Sequence, residues 1–207
     1  MALDAIAVPP KNQPPQYLLI ALHGWGSNAQ DLATFAPIFN WKNTQMMFPN
    51  APFPHPQVPG GKMWYDLQTS DREGLNQSRQ MLKDWLISLE TSTGVPLQRT
   101  FLTGFSQGGA MTLDVGLTFP FAGLCSLSGY LHSDPQGSPS APPTLIIHGT
   151  QDPVVPLSAA QKARDTLQQQ GVKIQYQEFL MQHEISPAAM ETLKAFLSNL
   201  CEEMKSR

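Results

Sequence analysis

The 207-residue sequence has few cysteines, few charged residues and no long hydrophobic run. Its two cysteines, Cys125 and Cys201, are too few for a disulfide framework, and we expect both to be free thiols. Charged residues make up 14% of the chain and the formal net charge is -3, so no basic surface that would attract nucleic acid is predicted. No apolar run is long enough to span a membrane, and residues 1–10 lack the features of a signal peptide. These absences predict a cytoplasmic protein without a nucleic-acid partner or membrane insertion.

Recognisable metal sites are missing as well. The sequence has no His-x-x-x-His or Cys-x-x-Cys motif, and its carboxylates do not cluster at ligand spacing. We therefore expect neither a metal nor another cofactor.

Short apolar segments alternate with amphipathic segments along the chain. The apolar segments, each of strand length, are 17–22, 44–48, 99–103, 121–127, 144–148 and 173–179. Apolar residues recur at helical spacing in the segments 29–39, 73–89, 109–117, 159–170 and 187–200. Strands that alternate with helices predict an α/β fold with a mainly parallel sheet and helices on both faces. The length favours one domain over residues 1–207.

A loop rich in proline and glycine is predicted at residues 49–61, where these residues exclude regular structure. Phe53 lies in this loop, and Trp64 and Tyr65 lie beside it. Long apolar loops in small domains usually bind something, so we predict that these three aromatic residues form the wall of an acyl-binding site. Trp64 and Tyr65 could equally be core aromatics.

A serine lies at a predicted strand-to-helix turn. The pentapeptide Gly104-Phe105-Ser106-Gln107-Gly108 follows the strand at 99–103 and opens the helix at 109–117. Small neighbours are what a strained turn needs when it pushes a side chain clear of the backbone. The layout is that of a nucleophile elbow, which makes Ser106 the candidate nucleophile.

Two further candidates, Asp152 and His183, each follow a predicted strand. Ligands of open parallel sheets bind at the carboxyl ends of the strands, so both residues belong to the predicted site. The chain order serine, aspartate, histidine is that of an α/β-hydrolase. We predict that Ser106 attacks an acyl carbonyl, that His183 takes its proton and that Asp152 orients the imidazole. The backbone N–H groups of Trp25 and Gln107 are the predicted oxyanion donors.

Two carboxylates have competing interpretations. Asp152 lies in a Gln-Asp-Pro sequence and could be an ordinary Asx-turn residue. Asp66 could replace it as the acid, but Asp66 precedes Ser106 and so breaks the expected order.

The remaining histidines are interpreted as structural. His23 and His148 precede glycines at strand ends, where a hydrogen-bonded structural histidine is the commoner case. His55 and His132 are interpreted as loop residues without a role.

Five motifs, in this order, resemble those of a known family. They are Leu22-His23-Gly24-Trp25-Gly26, Phe48-Pro49-Asn50-Ala51-Pro52, Trp64-Tyr65-Asp66, Gly104-Phe105-Ser106-Gln107-Gly108-Gly109 and His148-Gly149-Thr150-Gln151-Asp152-Pro153-Val154-Val155-Pro156. The family is that of the small carboxylesterases and acyl-protein thioesterases, and the resemblance extends over nearly the whole chain. It implies an α/β-hydrolase fold without a large cap domain. It also implies a catalytic triad of Ser106, Asp152 and His183, with Trp25 and Gln107 as oxyanion donors.

Two residues depart from the family pattern. Gln182 stands before the histidine where the family commonly has glycine, which affects the expected shape of that loop. Ser27 stands where the family often has an acidic residue, which affects how the loop around Trp25 is held.

The sequence thus predicts a serine hydrolase that cleaves carboxylic esters through an acyl-enzyme. Acyl thioesters and lysophospholipids present the same reacting carbonyl, and the apolar loop favours short to medium acyl chains. A ligand-binding protein that kept the fold without activity is the alternative, and a peptidase is a third possibility. The family resemblance allows a homodimer.

Overall fold

The computed structural model describes residues 3–39, 41–69, 71–133 and 135–206, and it has a central β-sheet. The strands in chain order are β1 (Ala5–Val8), β2 (Tyr17–Leu22), β3 (Thr44–Pro49), β4 (Phe53–Pro54), β5 (Lys62–Met63), β6 (Thr100–Phe105), β7 (Gly123–Leu127), β8 (Thr144–Gly149) and β9 (Ile174–Phe179). Seven strands form the sheet in the order β1-β3-β2-β6-β7-β8-β9, while β4 and β5 pair separately. Strand β1 runs antiparallel to β3, and the other pairs of the sheet are parallel.

Helices cover both faces of the sheet. They are α1 (Ala29–Ala33), α2 (Ala36–Phe39), α3 (Arg72–Thr93), α4 (Gln107–Gly116), α5 (Leu157–Gln169) and α6 (Pro187–Lys205). The core on one face is built with α3, α4 and α5, and the core on the other face with α1, α2 and α6. The predicted fold class, a mainly parallel α/β sheet with helices on both faces, is confirmed, and no large cap domain occurs in the described ranges.

Several predicted boundaries differ from the structure. The predicted helix at 29–39 is two helices, because Pro37 has no N–H to donate to the carbonyl of Ala33 and so interrupts the hydrogen bonding. Residues 49–61 were predicted to lack regular structure, yet Phe53 and Pro54 pair with Met63 and Lys62 in a two-stranded ribbon. The short strand β1 was not predicted. The strand predicted at 121–127 begins at Gly123.

Capping groups fix the helix ends that lie near the carboxyl edge of the sheet. The Asn28 side chain accepts a hydrogen bond from the N–H of Asp31 at 3.0 Å at the start of α1. The Ser186 hydroxyl accepts from the N–H of Ala189 at 3.2 Å at the start of α6. Both caps therefore hold segments that reach the candidate site.

Within the ranges described, no helix is both long enough and apolar enough to cross a membrane. The single-domain prediction also covers residues 1, 2, 40, 70, 134 and 207, which lie outside the described residues.

His23 is a fully buried histidine at the carboxyl end of β2. Its Nδ1 lies 2.8 Å from the carbonyl oxygen of Gly24, and its Nε2 accepts the N–H of Ala51 at 3.0 Å. Only a neutral ring can donate at Nδ1 and accept at Nε2. Burial lowers the pKa of His23 from 6.5 to about 4. The structural role predicted for His23 agrees with these contacts.

This buried histidine makes stability depend on pH. The unfolded chain takes up a proton on His23 below its ordinary pKa of 6.5, whereas the folded chain stays neutral until about 4, so acid favours unfolding across this window. We expect the contribution of His23 to the free energy of unfolding to fall by about 3 kcal/mol between about pH 7 and pH 4. Urea titrations of the wild type and of His23→Asn at several pH values measure this contribution. The difference between their free energies of unfolding should decrease as the pH falls. A difference that does not change with pH contradicts the assignment.

Candidate active site

Ser106 lies at the junction of β6 and α4, in a backbone conformation that is rare for a residue with a side chain. Its φ is 54° and its ψ is -117°. A Cβ on Gly104 would lie 2.2 Å from the carbonyl oxygen of Gly108, and a Cβ on Gly108 would lie 2.2 Å from that of Leu22. Both positions therefore require glycine, because strand and helix touch there. This close packing holds the strained turn that presents Ser106.

Ser106, His183 and Asp152 form a hydrogen-bonded chain. The Oγ of Ser106 lies 2.9 Å from His183 Nε2, and His183 Nδ1 lies 2.7 Å from Asp152 Oδ2. An ionised carboxylate only accepts hydrogen bonds, so Nδ1 carries the proton and Nε2 is free to accept the serine proton. The structure thus brings together three side chains that follow three separate strands of the sheet.

The Asp152 carboxylate is held by its own loop. Its Oδ1 accepts the N–H groups of Val154 at 2.8 Å and Val155 at 2.9 Å, and its side chain is fully buried. Burial alone would raise the pKa of Asp152, but the hydrogen bonds from His183 and from these two amides outweigh it and lower the pKa below its usual value. Asp152 is therefore ionised at neutral pH.

Two backbone N–H groups lie next to Ser106. Trp25 follows Gly24, on which an added Cβ would lie 3.3 Å from the Cβ of Ser106, and Gln107 follows Ser106 directly as the first residue of α4. Among the described residues neither amide has a hydrogen-bond acceptor. The N-terminus of α4 also has a partial positive charge. The oxyanion role predicted for these two N–H groups stays a prediction, which their position beside Ser106 and their lack of another acceptor support.

The Gln107 side chain binds the segment after β5. Its Oε1 accepts the N–H of Trp64 at 2.9 Å, and its Nε2 donates to the carbonyl oxygen of Tyr65 at 2.7 Å. The Trp64 indole is 0% exposed and donates to the carbonyl oxygen of His23 at 3.0 Å. Trp64 is therefore a core residue, and the prediction that it forms a substrate wall is wrong.

The Tyr65 hydroxyl belongs to a buried polar cluster. It lies 2.7 Å from His132 Nε2 and also contacts the hydroxyl of Tyr130. His132 Nδ1 lies 3.4 Å from Asp114, which in turn pairs with Arg79. Burial raises the pKa of Tyr65 well above its ordinary value, so its hydroxyl stays protonated. His132, interpreted from sequence as a loop residue without a role, is one of the links that join these segments.

An open cleft of about 310 Å³ lies above Ser106 and His183. Its apolar wall comes from helix α1, the segment that follows it, the elbow and the segment after His183, namely Leu32, Phe35, Phe105 and Ile185. The same four residues also border a small apolar slot of about 30 Å³, whose lining includes Met190 and Leu193 of α6. Phe53 and Tyr65 are not among the described residues that line the cleft. A role of Phe53 and Tyr65 in substrate binding therefore stays a prediction that this cleft does not support.

A comparison with family models matches residues 3–201 to the phospholipase/carboxylesterase family. The chain belongs to this family. It is accordingly a hydrolase, with the α/β-hydrolase fold that the sequence resemblance implied.

Individual relatives agree with the family assignment. The chain is 30% identical over 224 residues to acyl-protein thioesterase 1 of Saccharomyces cerevisiae, which covers 94% of this chain and 97% of the relative. It is 36% identical over 159 residues to acyl-protein thioesterase 1 of Schizosaccharomyces pombe, covering 67% and 69%. Among solved structures, that of esterase PE8 superposes with a TM-score of 0.89 at 27% identity and covers 97% of this chain and all of that one.

The two departures from the family pattern are accommodated locally. Gln182 is exposed, and its carbonyl oxygen packs on Gly149, where an added Cβ would lie 2.4 Å away. A side chain at 182 therefore leaves His183 in place. The Ser27 hydroxyl donates to Asp31 at 2.9 Å and its carbonyl accepts the N–H of Lys62 at 2.7 Å, so this loop is held without an acidic residue at 27.

Other candidate residues have local partners. Asp66, the competing carboxylate, accepts the N–H of Gln68 at 2.8 Å and the hydroxyl of Thr69 at 3.0 Å, as a turn residue does. His148 is fully buried, with Nε2 2.8 Å from the carbonyl oxygen of Val155, in agreement with a structural role. Across the described ranges, no three His, Cys, Asp or Glu side chains are grouped as metal ligands.

Proposed function

We propose that this hydrolase cleaves carboxylic esters and acyl thioesters, with Ser106 as nucleophile, His183 as general base and Asp152 as the carboxylate that orients the base. The observation that carries the proposal is the hydrogen-bonded chain of these three side chains, of which Ser106 and His183 line an open cleft. The family and its named relatives support the same reaction class.

The mechanism follows from the proton positions. His183 Nε2 accepts the Ser106 proton as Oγ attacks the acyl carbonyl, and Asp152 stabilises the imidazolium that forms. The N–H groups of Trp25 and Gln107 bind the oxyanion of the tetrahedral intermediate. His183 then gives its proton to the leaving alcohol or thiol. Water hydrolyses the acyl-enzyme by the same steps, with His183 again as base.

The cleft indicates the acyl chains that the enzyme accepts. Its volume of about 310 Å³ lies at the lower end for small-molecule sites, and its wall is apolar. We propose short to medium acyl chains, whose methyl end enters the slot behind Leu32, Phe35 and Ile185. An S-acylated peptide, a lysophospholipid and a simple ester all present the same carbonyl, so kcat/KM for matched substrates of these three kinds tests which leaving group is preferred.

A substitution in the slot tests the acyl site. Ile185→Trp should fill the slot, lowering kcat/KM for octanoyl and longer esters by about 10-fold while that for an acetyl ester changes by less than about 3-fold. Initial rates with a series of 4-nitrophenyl esters measure this. The matched control is Ile38→Trp, because Ile38 is 45% exposed on α2 and the same replacement there should leave the chain-length profile unchanged. Equal losses at every chain length contradict the assignment.

We also propose a cytoplasmic protein of one α/β-hydrolase domain that acts on small or acylated substrates and does not bind nucleic acid. Cys125 and Cys201 are free, as suits a reducing compartment, and burial raises the pKa of Cys201 to about 11. Light scattering at known concentration decides between a monomer and the homodimer that the family resemblance allows.

A further inference from the structure

His55 lies in the turn between β4 and β5 and is 8% exposed. Its Nδ1 accepts the backbone N–H groups of Gln57 at 3.1 Å and Val58 at 3.0 Å. A ring nitrogen that accepts hydrogen bonds carries no proton, so the neutral imidazole has its proton on Nε2. The turn therefore fixes both the position and the tautomer of this ring.

The opposite edge of the His55 ring faces the loop of residues 23–28 between β2 and α1, here called the Trp25 loop. The two ring centroids are 4.1 Å apart and the ring planes meet at 70°, an edge-to-face contact. A Cβ added to Gly26 would lie 3.5 Å from His55 Cδ2 and 3.7 Å from Nε2. Since Cδ2 and Nε2 lie across the ring from Nδ1, the turn binds one edge and the other edge packs on the Trp25 loop.

Backbone contacts join the same two segments. The N–H of Gly26 donates to the carbonyl of Lys62 at 2.9 Å, and the N–H of Lys62 donates to the carbonyl of Ser27 at 2.7 Å. A Cβ on Gly61 would lie 2.5 Å from the carbonyl oxygen of Gly26, so only glycine permits this approach. The turn at residues 55–61 and the Trp25 loop are therefore packed as one unit.

The Trp25 indole makes no hydrogen bond to the residues that the structure describes. Among the residues that the structure describes, neither Trp25 Nε1 nor His55 Nε2 has a hydrogen-bond partner. The edge-to-face contact with His55 is therefore one of the contacts that position the indole, and Trp25 also lines the cleft above Ser106.

We propose that His55 is a positioning residue that holds the Trp25 loop so that the Trp25 N–H points at the oxyanion. The role rests on the proposed function, in which this N–H binds the tetrahedral intermediate. Donors held in place before the reaction stabilise the transition state because they need not reorganise as charge develops. If Trp25 is less well held, the stabilisation of the transition state decreases more than the binding of the substrate. The substitution should therefore lower kcat and leave KM nearly unchanged.

Two replacements of His55 distinguish the contributions of its two ring edges. His55→Phe keeps an aromatic edge against Trp25 and loses the acceptor for the turn, whereas His55→Asn keeps an Asx-type acceptor and loses the ring. We expect His55→Asn to lower kcat by about 10- to 100-fold while KM changes by less than about 3-fold. The kcat of His55→Phe should be clearly higher than that of His55→Asn. Gln57→Ala is the matched control, because it alters an exposed side chain of the same turn and keeps its N–H; its kcat should equal that of the wild type. Wild-type kcat in His55→Asn, or more activity in His55→Asn than in His55→Phe, overturns the proposal.

A double-mutant cycle excludes a merely structural role. If His55 acts through the Trp25 side chain, His55→Asn lowers kcat in the wild-type background but lowers it little further in Trp25→Ala. If the two substitutions act independently, for example through folding, their factors on kcat multiply. Urea midpoints of all four proteins show that each is folded at the assay temperature. If kcat of the double variant is lowered by the product of the two single factors, the proposal is wrong.

Covalent labelling separates this role of His55 from the catalytic assignment of Ser106. Stoichiometric labelling of Ser106 by a fluorophosphonate in the wild type, with unchanged kcat in the His55 variants, rejects only the role of His55. Failure of wild-type Ser106 to label rejects the proposed nucleophile itself.

Discussion

Replacing Ser106 with alanine is expected to lower kcat/KM for an activated ester by about 10⁴- to 10⁶-fold. The hydroxyl supplies the atom that forms the acyl-enzyme, and the residual rate comes from binding and oxyanion donors acting on water. Alanine at φ 54° is as strained as serine, so the replacement should not change the turn. Steady-state rates and thermal unfolding of the same preparations measure both effects.

Ser128 provides a matched control for this prediction. It is also a buried serine at positive φ, 50°, and it follows the neighbouring strand β7. Because its hydroxyl is not part of the chain that links Ser106 to Asp152, Ser128→Ala should keep kcat/KM within about 3-fold. If Ser106→Ala keeps more than about a tenth of the wild-type rate, the nucleophile is another group.

Replacing Asp152 with asparagine is expected to lower kcat by about 10⁴-fold at neutral pH. Asparagine can present an N–H to His183 Nδ1, which moves the imidazole proton to Nε2 and prevents His183 from accepting the proton of Ser106. Asp66→Asn is the control, since Asp66 is bound within its own turn and should be replaceable with less than about 3-fold loss. Strong loss in Asp66→Asn with little loss in Asp152→Asn would reverse the assignment.

The pH profile gives the same assignment an independent test. A protonated imidazole cannot accept the serine proton, so kcat/KM falls about tenfold per pH unit on the acid side. The lowered pKa of Asp152 keeps the carboxylate ionised there, so the acid limb should show one ionisation and a limiting slope of about one. A limiting slope of about two on the acid side means that a second group must be deprotonated for activity, which contradicts an Asp152 carboxylate that stays ionised there.

The sequence was sufficient for the six parallel strands of the sheet, though not for the antiparallel edge strand β1, and for the proximity of the three key side chains. Strand-length apolar segments and helical spacing defined the elements, and parallel strands end at one edge, so residues after β6, β8 and β9 had to meet there. Ser106, Asp152 and His183 each follow one of these strands. Their roles remain predictions until the substitutions are made.

Contacts between distant segments could not be predicted. The direction of Trp64 is set by Gln107 and His23, which lie far away along the chain, so hydrophobicity near a loop did not distinguish a core indole from a substrate wall. His55 and His132 have no motif around them, and their partners, Trp25 and Tyr65, lie on other segments. The break between α1 and α2 had a local signal in Pro37, which the periodicity of apolar residues obscured.

Mapping a fluorophosphonate adduct by peptide mass spectrometry shows whether Ser106 is the nucleophile, because the reagent phosphonylates only an activated nucleophile. We expect one adduct per chain, located on Ser106, and its loss both in Ser106→Ala and after prior acylation by a slowly hydrolysed ester. An adduct on another residue contradicts the assignment of Ser106, as does saturable ester binding without any adduct, which would indicate a ligand-binding protein that kept the fold without the chemistry.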